Sequence, residues 1–258
     1  MKKFGIHAPA LLFMVCILCS SAWAKEADLS FLSFDHEAMI GFDLPFKQYI
    51  AAYKKFIEKE KGLTALGGAM SRWDKLYVRA EKQGAGAGTL GRMDVIRGLL
   101  VQAHGLAVQD RCDEARELSV PIRTELFELH RSLNILTAED YMIYLHNGVF
   151  HRAEPLIVEK RYAELAMLIP RIEATVARFK NPPKGAQDAG EYAKRYGALM
   201  TKVQTYINAI KKVNTYVDPE YGGYMLDKQL EDAHNTAHKK FGAVYLSFPK
   251  GMVWPKRK

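Results

Sequence analysis

The sequence predicts an all-α fold: an antiparallel helical bundle with additional short helices, forming a single domain behind an N-terminal signal peptide. Three observations carry this. Apolar residues recur at steps of three and four through most of the chain, as one buried helix face requires. No stretch sustains the period-two alternation of a half-buried strand. One segment keeps an a/d seam for more than three heptads: Tyr192, Tyr196, Leu199, Val203, Tyr206, Ile210, Val213 and Val217.

Residues 1–24 have the order of a secretory signal. Lys2 and Lys3 precede an apolar run from Ala10 to Cys19, and Ala22-Trp23-Ala24 offers a small-x-small cleavage site before Lys25. Cleavage there would leave 234 of the 258 residues, and losing Lys2 and Lys3 with no acid lowers the net charge from +8 to +6. Cys16 and Cys19 also go, so Cys112 becomes the only thiol, expected to be a small buried hydrophobe. The expected location is the periplasm or the exterior.

The helices follow in order. Asp43, with Pro45 behind it, reads as the cap and first turn of a helix carrying Phe46, Tyr49, Ile50, Tyr53 and Ile57, which Lys61-Gly62 should end. A second helix is expected over 64–82, and Gly84–Gly91 breaks the chain. Met93, Ile96, Leu100, Ala103 and Ala107 stripe a third helix. A further stripe from 114 to 136 should kink or restart at Pro121, and Thr137 begins the next helix. That helix should stop near Arg152, because Pro155 disfavours helical geometry at Glu154. Another covers 156–179 with a break at Pro170. Asn181-Pro182-Pro183-Lys184-Gly185 is a loop, the long seam helix follows, and a last helix spans about 225–242. The domain is expected over 25–246, with a basic tail over 247–258.

Composition excludes several classes. With 48% hydrophobic and 26% charged residues the chain is neither disordered nor collagen-like. Basic residues are interspersed with acids, and together with export this argues against nucleic acid. Weak attraction to an anionic membrane or envelope surface is the expectation instead. Gly86-Ala87-Gly88-Thr89-Leu90-Gly91 matches Gly-x-Gly-x-x-Gly, but a charged helix, not a strand, precedes it, so a turn between helices is expected. Neither Gly-x-Ser-x-Gly nor His-Glu-x-x-His occurs, and no catalytic residue is indicated.

The histidines carry the chemical signal. At 100° per residue, His234 falls about 40° from Leu230, inside the apolar stripe of the last helix. His238, at about 80°, and Glu231, at about 100°, run along the stripe's margin. An imidazole pair at i, i+4 beside a carboxylate can hold one metal ion, so His234, His238 and Glu231 are the expected metal ligands. His104 and His146 also lie on apolar faces of their helices and are expected to help hold a cofactor. A transition metal ion or a non-covalent b-type haem is the candidate. On a regular helix His146 and His151 lie about 140° apart and could not share an ion.

His151 and Glu154 form His-x-x-Glu within Gly148-Val149-Phe150-His151-Arg152-Ala153-Glu154. This pair resembles that of the imelysin-type proteins, which are all-helical, exported and metal-associated. The glycine is displaced by one from their Gly-x-His-x-x-Glu pattern. The resemblance implies a metal at His151 and Glu154.

The expected function is therefore a non-catalytic exported binding protein whose ligand sits between helices. The alternative is an envelope interaction protein that uses the aromatic seam over 192–217 for a partner or for self-association.

Overall fold

The structure is a computed structural model that describes residues 27–55, 58–186, 188–215 and 223–247. The signal segment, Val217 and the basic tail beyond 247 lie outside the described residues. The described chain is helical throughout, with no strand. A short 3-10 turn, Ser30–Leu32, precedes α1 (Glu37–Lys55), α2 (Lys59–Lys82), α3 (Ala87–Val108), α4 (Cys112–Glu117), α5 (Ser119–Ser132) and α6 (Ala138–Tyr144). A π-helical turn, Leu145–Phe150, leads directly into α7 (His151–Val158). Then come α8 (Tyr162–Ala166), α9 (Ile169–Arg178), α10 (Ala189–Thr215) and α11 (Gly223–Tyr245). No described helix is long and apolar enough to cross a membrane.

The predicted stripes form one continuous core running from Leu29 to Leu246. Met93, Ile96, Leu100, Ala103 and Ala107 are all fully buried on α3. The seam residues of α10 are buried too, apart from the half-buried Tyr196, and α10 packs chiefly along α11. The described part of the aromatic seam is thus engaged inside the chain. Cys112 is buried at the start of α4, where burial pushes its thiol up from the ordinary range. The Gly-x-Gly-x-x-Gly segment is a turn between helices: Gly84 takes a positive φ of 80° after α2, and Gly86 is the N-cap of α3.

Several boundaries differ from the sequence expectation; the helix expected over 156–179 breaks after Val158 and again after Ala166, and not at Pro170, which lies in the first turn of α9. α1 starts at Glu37, six residues before Asp43, because His36 supplies the cap: its Nδ1 accepts the Ala38 N–H at 3.0 Å and its carbonyl accepts from Met39 and Ile40. Gly62 does not end α1. It lies in the first turn of α2, where the Tyr53 ring presses so close that a Cβ would come within 2.0 Å of it. The helix after Thr137 does not stop near Arg152. Pro155 sits inside α7 on its exposed side, between buried Ala153 and Leu156, and burial of those neighbours outweighs the local proline preference. The Thr137 start is as expected, a capping box closed by Asp140, whose other oxygen bonds buried His130 at 2.7 Å.

Asp43 is not a cap but part of a buried charge cluster. Lys47 Nζ lies 2.8 Å from Asp43 and 2.5 Å from Glu139, with the Tyr245 ring beneath it at 4.3 Å. All three ionisable side chains are almost wholly removed from solvent. Burial drives both carboxyls upward, Glu139 furthest because the Asp43 charge adds to the effect. The cluster ties α1 to α6 and α11 at the centre of the molecule.

Lys47→Met removes the one cation between two buried carboxyls. Urea unfolding of this variant should show a stability loss of about 3–5 kcal/mol. A loss below about 1 kcal/mol would mean that the lysine does not balance the cluster.

Candidate functional site: a histidine cluster at a π-helical turn

Five donor side chains meet where the π turn and α7 face α11. His146, His151 and His238 bring one nitrogen each within 4.8 Å of one another, and Glu154, His234 and His238 do the same with their donors. His238 belongs to both sets. Glu154 Oε1 lies 3.7 Å from His234 Nε2 and 3.7 Å from His238 Nδ1, while Glu154 Oε2 lies 3.1 Å from His151 Nδ1. Ligand atoms about 2.1 Å from a tetrahedral ion stand about 3.4 Å apart. The Glu154-centred spacings bracket that value.

The π turn makes this possible. The His151 N–H donates to the His146 carbonyl, a bond across five residues. Residues five apart are thereby stacked, and the rings of His146 and His151 lie 4.5 Å apart. The expectation that these two could not share an ion assumed a regular helix and is overturned. Gly148 lets the turn form against Tyr144: a Cβ there would come within 2.7 Å of the Tyr144 ring. On the opposite wall, His234 and His238 stand one helical turn apart on α11, with ring centroids 5.9 Å from each other. Phe150 forms an apolar floor, 5.6 Å from the His234 ring and 5.4 Å from that of His238.

Protonation is also arranged. Asn147 donates its amide to the Val120 carbonyl and to Thr124 Oγ1, both at 2.9 Å, so its own oxygen faces His146 Nδ1 at 2.6 Å. His146 Nδ1 must therefore donate, which leaves the lone pair on Nε2. Burial pushes His146 well below the ordinary imidazole range, helped by the nearby positive charge of Arg123. Burial lowers His234 as well, against an opposing pull from Glu154. Both rings are thereby kept neutral, the state a metal ligand needs. Three buried nitrogens find no hydrogen-bond partner: His151 Nε2 and both ring nitrogens of His234. Buried polar atoms are seldom left so. A cation would satisfy one nitrogen of each ring.

The sequence-predicted residues divide. His234 and His238 are in the cluster, His234 almost fully buried and His238 half-buried. His146 is there also, as a direct donor. Glu231 is not: it is exposed on α11, because the solvent edge of the helix falls just short of it, and Glu154 of α7 supplies the carboxylate instead. His104 is half-buried on α3 and belongs to neither donor set, since α3 packs chiefly against α2, α4 and α5. His151 and Glu154 were accessible only through the His-x-x-Glu resemblance. No known protein family matches the chain, and no curated protein or solved structure matches it either. The imelysin-type resemblance thus rests on His151 and Glu154 themselves.

Two outcomes are expected. Gly148→Ala should reverse the usual helix-stabilising effect of alanine and cost about 1–3 kcal/mol by overpacking against Tyr144, read by thermal or urea unfolding. In metal-free protein, NMR titration should put the midpoints of His146 and His234 below about 6.5. The sign follows from linkage. A lowered histidine favours the folded state fully above about 6.5, and that contribution is lost as pH falls towards the folded midpoint. Midpoints at or above 6.5 would contradict the burial argument.

Proposed function

We propose that this protein is an exported, non-catalytic binding protein that holds one transition-metal ion at the His146, His151, Glu154, His234 and His238 cluster. The observation that carries the proposal is the convergence of these donors with three buried nitrogens left without hydrogen-bond partners. Imidazoles with a single carboxylate suit Zn, Cu, Fe or Ni better than the all-oxygen cages of Ca or Mg. Haem is a poorer fit. Axial histidines lie on opposite faces of a macrocycle, whereas the rings of His146, His151 and His238 lie 4.5–5.2 Å from one another and leave no slot between them. Export rests on the signal-like segment over 1–24, which fits an antiparallel bundle working in the periplasm.

The site is half open. His151, His238 and Glu154 retain 32%, 24% and 44% side-chain exposure, while His234 retains 2%. A closed structural zinc site would bury all its ligands. This geometry instead lets an ion enter and leave from one side, as acquisition and delivery require.

Calorimetric titration of the mature chain, purified without a histidine tag, with Zn(II) and Cu(II) tests the proposal. One ion per chain is expected. His238→Ala should weaken binding at least 100-fold because it removes the donor common to both sets, and Glu154→Gln about 10- to 100-fold. Glu231→Gln and His104→Ala should leave affinity unchanged. Failure of both metals to bind the wild-type chain would overturn the proposal, as would equal affinity in His238→Ala.

A further inference from the structure

Beside the histidines lies a cavity of about 410 Å³, walled by His146, His151 and His238 on one side and by α4, α5 and the end of α11 on the other. Its charged lining is unbalanced: Arg116, Arg123 and Lys239 face it against one carboxylate, Glu117. Glu117 is already paired with Arg116 at 2.7 Å. Arg123 is the informative residue. The residue is 5% exposed, and its guanidinium donates to the Ser119 carbonyl at 3.0 Å and to Ser119 Oγ at 3.4 Å, with the Tyr245 ring 5.4 Å away. Among the described residues no carboxylate forms an ion pair with it. A buried cation without an anion is expensive, and a serine with an aromatic face compensates only part of the cost.

We infer that this cavity takes a small organic polycarboxylate that serves as an exogenous ligand of the metal, so that the protein binds an ion together with its organic-acid chelator. The inference rests on the metal-binding function proposed above. Arg123 offers the planar fork that matches a carboxylate, and its Ser119 bonds fix that fork at the wall. Lys239 adds a second positive charge at the rim. Ile50, Val120, Phe241 and Leu246 supply apolar wall, which a carbon skeleton uses and inorganic phosphate does not. His151 and His238 line the cavity and also belong to the donor cluster, so a carboxylate reaching across from Arg123 can meet an ion held there. Imidazole binds a metal as a neutral ligand, so an ion held there keeps positive charge for an anion to offset.

The test is equilibrium dialysis of the mature chain against zinc and citrate, with both counted on the protein. One zinc and one citrate per chain are expected. Arg123→Gln should keep the zinc while losing citrate affinity at least tenfold. Arg123→Lys, which keeps the charge without the fork, should fall between, and unchanged thermal unfolding of either variant excludes misfolding as the cause. Zinc bound without citrate, or citrate bound equally by wild type and Arg123→Gln, would overturn the inference. So would inorganic phosphate displacing citrate at equal concentration, since the occupant would then be a bare oxyanion. If citrate binds through Arg123 but zinc does not bind at all, the metal proposal fails, and the co-ligand role with it. If zinc binds normally and citrate does not, the metal proposal stands and only the inference falls.

Discussion

One backbone hydrogen bond governs the site: the His151 N–H donating to the carbonyl of His146 across five residues. In an ordinary helix that N–H would reach Asn147, and the two histidine side chains would point about 140° apart. The longer step inserts one residue into the turn and rotates everything downstream. α7 then presents His151 and Glu154 to α11 rather than to solvent. The shift has a steric condition, met by Gly148 against Tyr144, and an electronic consequence at Asn147, whose amide is anchored to α5 while its oxygen orients His146. Widened turns of this kind are costly and tend to survive where function retains them.

Much of the scaffold was legible because helical periodicity is a direct record of burial. The stripes on α3, α10 and α11 could be read at 100° per residue, and the same arithmetic placed His234 inside. It failed at margins. Glu231 and His238 differ by only about 20° around α11, yet one is in solvent and the other touches the site, since the neighbouring α7 decides where the wall ends. It failed again where the period itself changed. A π turn has no hydrophobic signature, so His151 could be reached only through a short motif. A mid-helix glycine followed seven residues later by Pro155 was the available sign that the hydrogen-bond ladder was disturbed.

Local chemistry misled at Asp43 for a related reason. An aspartate two residues before a proline is a good helix start in isolation. Here Lys47, one turn on, and Glu139, far away in sequence, recruit it into the interior, and His36 takes over as cap. Tertiary charge pairing outweighed a capping preference worth about 1 kcal/mol.

The two buried cations are answered differently. Lys47 has two carboxyls within 2.8 Å, and burial raises the pKa of both. Arg123 stands near the same Tyr245 ring, yet it faces a cavity, and its polar contacts among the described residues are Ser119 and Tyr245, neither of them an anion. A guanidinium cannot relieve itself by losing its proton, as a buried lysine can. Its charge persists and raises the cost of protonating His146. The same residue therefore adds to the effect of burial in keeping His146 neutral and makes the adjoining space attractive to an anion. Both effects favour a site that takes up a cation and its counter-ligand together.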